Sequence, residues 1–324
     1  MMKQYSVKLL SVCIFFLASC VKKDSDVFVP NPGQQLDSAW TSVLPSNAQV
    51  LQLAQKIAGS VSVADLNLAV DSVIRTNTSL TVECPRESLL VGTNVATGVI
   101  KAEYVLIQKK GDFIRYGVPT VSNRFPLESG GAVYLKLTSA SGAAVTVSSS
   151  KKIYFKYADT TARQGMNLFY ASLLPTAASL ANWLPANDGS VVTTWSSNTA
   201  PFKGYVFATS RTGWLSADRL YEPALATTEA SIVMPNLFSN ANTSVYMIFK
   251  NYRTVLNMGG SADTRKFSHP DIPLNFDVKI ITISKVADTY YVGVKEDKIT
   301  PKYSTFIRPE VSNIDKINQL INGL

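Results

Sequence analysis

His269 is the only histidine in a chain of 324 residues, and three cysteines and 23 acids accompany it as candidate nucleophiles, bases and ligands. A Ser-His-Asp or Cys-His site has to use His269. It stands in Phe267-Ser268-His269-Pro270-Asp271, a loop by composition, and no nucleophile elbow is present. Zinc needs several His or Cys ligands, and calcium needs clustered acids alternating with Gly; neither pattern occurs, so no metal site and no cofactor is expected. Glycosidase chemistry needs two carboxylates facing across a cleft, and no pair is marked by local sequence. Gly130-Gly131 and Gly259-Gly260-Ser261 lack the following Lys-Ser/Thr of a phosphate loop and are expected as turns at strand edges. No catalytic residue is therefore assigned. Binding chemistry is better represented. Trp40, Trp183, Trp195 and Trp214 fall in or near expected loops, and an exposed indole can stack on a sugar ring or anchor a protein partner. Trp183, Trp195 and Trp214 are the candidate ligand platform.

One cysteine does carry a recognisable chemistry. Lys3 and Lys8 precede the apolar stretch Leu9 to Ala18, which is too short to span a bilayer, and Leu17-Ala18-Ser19-Cys20 follows. An aliphatic residue, two small residues and a Cys form a bacterial lipobox, in which the Cys20 thiolate takes up diacylglycerol. Several acyl chains on one residue anchor stably where a single chain does not. Removal of residues 1–19 takes Lys3 and Lys8 with it and lowers the net charge from +8 to +6. Cys13 leaves as well, so Cys84 is the free thiol that remains beside the lipidated Cys20. Lys22, Lys23, Asp24 and Asp26 resemble the surface-export signal of Bacteroidetes lipoproteins. Val27 to Leu44, with Pro30, Pro32 and Gly33, reads as an extended tether. Asp37-Ser38-Ala39, Asp71-Ser72-Val73 and Asp159-Thr160-Thr161 match the Asp-Ser/Thr acceptor for O-glycans, which makes Ser38, Ser72 and Thr160 candidate modification sites.

The elements that must position these residues are mainly strands. With 46% hydrophobic and 17% charged residues the chain is globular rather than disordered. Asn47 to Ile57 predicts a short helix capped by Asn47 and ended by Gly59. From about residue 70 the apolar period is two. Val99 to Ile107, Ala132 to Leu137 and Ile153 to Tyr157 predict strands, as do Lys203 to Thr209, Ser244 to Lys250, Thr254 to Met258, Val278 to Ile283 and Tyr290 to Val294. Met166 to Tyr170 reads as a strand and Leu173 to Leu184 as a loop or broken helix. Ala287-Asp288 marks a hairpin turn. Ile314, Ile317, Leu320 and Ile321 recur at helical spacing after Ser312, a candidate cap. The fold class expected is mainly β: two β-sandwich-like modules with a short C-terminal helix. The division is 1–19 signal, 20–60 lipidated Cys, tether and short helix, 61–158 first module, 159–301 second module and 302–324 helical segment. The basic pairs Lys109-Lys110, Lys151-Lys152 and Arg265-Lys266 are too dispersed for a nucleic-acid site.

Ala96-Thr97-Gly98 before the strand from Val99, then Lys110-Gly111-Asp112, Pro119 to Asn123 and Leu127-Glu128-Ser129-Gly130-Gly131 resemble a group of secreted Bacteroidetes lipoproteins. The β-sandwich of that group is similar to the module shared by ankyrins and netrin receptors. Its landmark, Gly-Trp followed shortly by Asp-Arg, stands here as Gly213-Trp214-Leu215-Ser216-Ala217-Asp218-Arg219, with Ser216-Ala217 in place of the usual Asn-Cys. The resemblance spans residues 80–295 and implies a fold and an envelope setting, with no activity. The function expected is a surface-anchored, non-enzymatic module binding a glycan, a protein or an envelope component. The alternatives are an accessory subunit of an outer-membrane nutrient-uptake assembly and, further off, a carboxylate hydrolase. The partners expected are the outer membrane, through the lipid, and a glycan or protein ligand. The sequence carries no signal of oligomeric state.

Cys20→Ala tests the anchor. Wild-type protein from its host is expected in the outer-membrane fraction with an added acyl mass, and the variant in the soluble envelope fraction without it. A wild-type chain without acyl mass would refute the assignment.

Overall fold

A computed structural model describes residues 39–69, 72–171, 182–197, 202–222 and 225–324. The chain is mainly β with short helices, as the period-two segments require. Among the described residues the strands form four sheets, of ten, five, four and five strands, and the helices are Gln49–Ile57, Lys110–Arg115 and Ile314–Asn322. None of these helices is long and apolar enough to cross a membrane.

The first sandwich packs the ten-stranded sheet on a five-stranded one. Ile100, Ala102, Val133, Leu135 and Leu215 meet Ile74, Leu80, Val82, Phe155, Tyr157 and Phe207 across the core. Phe155 and Phe207 stack with centroids 5.0 Å apart. The second sandwich pairs the four-stranded sheet with the other five-stranded one and buries Ile232, Phe267, Ile272, Met247, Phe249 and Ile280. The division between the two differs from the expected boundary at residue 158. Strand Asn167–Ala171 pairs with Gly213–Leu220, which pairs with Phe125–Ser139, and Lys203–Thr209 pairs with Ile153–Ala158. Strands expected in the second module are thus bonded into the first, and the second sandwich starts with Thr227–Val233.

A third apolar cluster joins the two. It takes Val105, Ile107, Tyr134 and Trp214 from the outer side of the ten-stranded sheet and Tyr246, Ile248, Ile281 and Ile283 from the second sandwich. Between them lie Leu53 and Ile57, Phe113 and Ile114, and Ile317 and Ile321, one pair from each helix. The last helix is capped by Asn313, which accepts from the Lys316 N–H at 2.9 Å, rather than by Ser312. The first begins after Ala48 with no side-chain cap, because the Asn47 side chain is not turned onto it.

Strand Phe125–Ser139 is the spine of this arrangement. It is buried without interruption from Pro126 to Leu135 and carries four neighbouring strands. Gly130 and Gly131 lie inside it, not at its edge. A Cβ on Gly130 would stand 2.7 Å from the Tyr205 ring, and one on Gly131, at φ +118°, would stand 2.8 Å from the Ile107 carbonyl. Gly130 is required by the aromatic ring that presses on it from the opposite sheet, and Gly131 by its positive φ and the carbonyl of the adjoining strand.

Gly111 makes a similar contact between helices, since a Cβ there would stand 2.0 Å from the Ile321 carbonyl oxygen. Gly111→Ala is expected to cost about 1–3 kcal/mol by forcing the helices apart. Gly142→Ala, in open space at φ +83°, should cost only about 1 kcal/mol of backbone strain. Chemical denaturation of the two variants checks the difference, and equal losses would show that the helix contact is not tight.

Candidate functional site

The residues of the Gly-Trp and Asp-Arg landmark fall on strand Gly213–Leu220, beside the spine. The register shifts between Ser216 and Asp218, a bulge that turns the strand where the two sandwiches meet. Trp214 points into the third cluster, 5.2 Å from Tyr134 and 6.0 Å from Tyr116 by ring centroid. Leu215 and Ala217 fill the first core. Asp218 is fully buried: its Oδ1 accepts from the Ser216 hydroxyl at 2.7 Å, and its Oδ2 meets no donor in hydrogen-bonding geometry. Burial pushes its carboxyl up to about 7 against the opposing pull of the Ser129 and Ser216 hydroxyls and the Arg253 charge.

Around it stand ion pairs. Glu128 on the spine is 4% exposed and holds Arg163 at 2.7 Å and Arg219 at 2.6 Å. Arg253 reaches from the second sandwich to Asp159 of the first at 2.7 Å. Burial pushes the Asp159 carboxyl up, but Arg253 and the Thr161 hydroxyl and N–H outweigh it and hold it below the usual range. Backbone bonds run alongside: Ser129 N–H to the Arg253 carbonyl at 3.0 Å, Thr120 N–H to the Val255 carbonyl at 2.8 Å. The Thr254 hydroxyl donates to the Leu127 carbonyl at 2.8 Å. The landmark is therefore the electrostatic and packing seam between two sandwiches. Glu128 and Asp159 are held by arginines, and the Asp218 carboxyl is raised by burial, so the acids of this seam tie one sandwich to the other.

His269 lies in strand Lys266–Pro273, not in a loop, and is 7% exposed. Its Nδ1 is 2.6 Å from the Pro270 carbonyl, and burial lowers its pKa so that the ring is neutral. Cys84 is buried and its thiol is pushed up to about 12, which removes the thiolate. Among the described residues no group of three or more His, Cys, Asp or Glu is placed to hold a metal ion.

The candidate platform separates into buried and open members. Trp183 is fully buried, with its Nε1 donating to the Pro119 carbonyl at 2.9 Å, and Trp214 is 5% exposed, so both are packing residues closed to a ligand. A large ring next to a turn signal satisfies the core as readily as the surface. Trp195 is different. It lies on the outer face of the first five-stranded sheet, opposite Gly204. A Cβ on Gly204 would stand 2.9 Å from the indole nitrogen, so the missing side chain is what seats the ring on the sheet. Nε1 donates to the Tyr157 carbonyl at 3.3 Å, and Lys156 Nζ stands 4.3 Å above the ring centroid. Tyr154, 45% exposed, shares the face. The alternation of Ile153 to Tyr157 already placed Tyr154 and Lys156 opposite the core, and Gly204 inside an apolar strand was the available signal for a close approach. Nothing local marked Glu128, Arg163 or Arg253 as partners, since they come from distant segments.

Of the candidate glycan acceptors, Thr160 is exposed but its Asp159 is committed to Arg253, and Ser72 is exposed. Cys20, Lys22, Lys23, Asp24, Asp26 and Ser38 lie outside the described residues. Comparison with protein-family models, curated proteins and solved structures finds no match for the chain.

The Asp218 proton sets a pH dependence. An unfolded aspartate loses its proton near pH 4, whereas the folded one keeps it to about 7. Stability therefore falls as pH rises through that window and is level above it. Asp218→Asn cannot ionise and should flatten this slope. It should be roughly 2–4 kcal/mol more stable than wild type at pH 8 and close to it at pH 4. Denaturation curves at the two pH values decide, and parallel profiles would show that Asp218 does not hold the proton.

Proposed function

We propose that the protein is a lipid-anchored envelope protein whose body is a non-enzymatic binding module, with a glycan as the ligand class. The observation that carries this is the Trp195 face: an indole resting against Gly204 on the outer side of a sheet, bonded through its own N–H and left partly exposed. A fixed aromatic plane costs little entropy to bind against and offers sugar C–H groups an apolar surface. The lipobox at Cys20, the charged residues after it and the tether support an envelope setting. The resemblance to secreted Bacteroidetes lipoproteins points the same way. The arginine pairs that occupy Glu128 and Asp159 are in keeping with a binding role.

A glycan array probed with the mature protein in nonionic detergent tests the reading. Retention of a defined glycan set is expected, with a loss of about tenfold or more in affinity on Trp195→Ala and a melting temperature near that of wild type, because Trp195 lies at a sheet edge. An empty array, or a variant that binds as well as wild type, would overturn it.

A further inference from the structure

The face that carries Trp195 is also charged, and its charge has one sign where the ring lies. Thr193, Val206, Lys156, Thr81 and Arg75 stand in one cross-strand row over the five strands. Thr193, Lys156, Thr81 and Arg75 are exposed. Neighbouring strands are about 4.8 Å apart, so the row extends for roughly 19 Å. Gly204, Ala158 and Ala208 beside it keep the surface low. Lys156 makes no ion pair among the described residues, and its ammonium is parked over the indole. Glu83, the acid on this face, stands opposite Tyr154 in the next row rather than opposite Lys156.

Resting on the glycan-binding reading, we infer that this face selects an acidic glycan, one bearing ring carboxylates. A lysine over an aromatic ring is worth about 0.5–1 kcal/mol at an exposed site, weak enough to be displaced. A neutral sugar that stacks on Trp195 must push Lys156 aside and gains nothing for it. A uronic-acid ring that stacks there brings a carboxylate to the ammonium it displaces, so the lysine keeps a partner. Thr81 and Thr193 offer hydroxyls to the ring oxygens along the row. A lysine whose only task is to shield the indole would discriminate against carboxylated and neutral sugars alike.

Titration calorimetry of the mature protein in nonionic detergent with tetragalacturonate and with neutral galactotetraose separates the possibilities. The expected result is a preference of about tenfold or more for the acid tetramer, weakening as salt is raised. Lys156→Gln should remove most of that preference while leaving the neutral affinity unchanged or about two- to fivefold tighter, since no ammonium need be displaced, and Trp195→Ala should abolish both. Lys156 is exposed and outside every core cluster, so unchanged melting of Lys156→Gln serves as the folding control. Equal affinity of wild type for the two tetramers would overturn the acidic selection and leave the platform standing. A preference that survives Lys156→Gln would also overturn it. Binding of neither tetramer would overturn the selection, and the array decides the platform separately.

Discussion

From Pro126 to Leu135 the spine strand is covered on both sides, so no side chain on it keeps its water. Every other arrangement at the centre of the molecule answers that constraint. Glu128 sits on this stretch and is met by two arginines, and the Ser129 hydroxyl accepts from the Gly131 N–H at 3.0 Å. Gly130 and Gly131 give up their side chains to Tyr205 and to the adjoining strand. Asp218, one strand away, forms no ion pair with an arginine among the described residues, and burial raises its carboxyl instead.

The seam therefore combines two ways of burying an acid. Paired carboxylates tie one sandwich to the other, since Arg253 comes from the second and Asp159 from the first. Such pairs specify a relative position more than they stabilise it, because desolvation offsets much of the attraction. The apolar cluster of three helices contributes the larger share, at roughly 1.5–3 kcal/mol for each fully buried large side chain. Trp214 belongs to both systems, with its ring in the cluster and its strand leading to Asp218 and Arg219.

Strands with one dry and one wet side were legible. Val99–Ile107 has the expected bounds, the hairpin around Ala287-Asp288 is present, and the last helix buries Ile317 and Ile321. The spine was legible only from Ala132 onward, because Pro126, Glu128 and the two glycines are residues that ordinarily break or edge a strand. Their burial is decided by partners that local pattern does not contain. The module boundary was misplaced for a related reason: strands from Asn167 to Leu220 alternate like those after them, and only pairing shows which sheet they join. Trp183 and Trp195 illustrate the same limit at the candidate site. Both are tryptophans near turn residues, yet one fills a core and the other rests on a glycine in an outer face.

The helices Gln49–Ile57 and Ile314–Asn322 come from opposite ends of the body and close the same wall. Arg115, between them, donates to the Ile57 carbonyl at 2.9 Å and to the side chains of Asn318 and Asn322 at 3.0 and 2.8 Å. A growing chain therefore presents Phe113 and Ile114 long before the residues that cover them exist. The first sandwich can collapse early, but its outer apolar side stays open until the final turns of helix emerge. In a chain made from its N-terminus, the helix Ile314–Asn322 is thus a condition for closing that wall rather than an appendage to it.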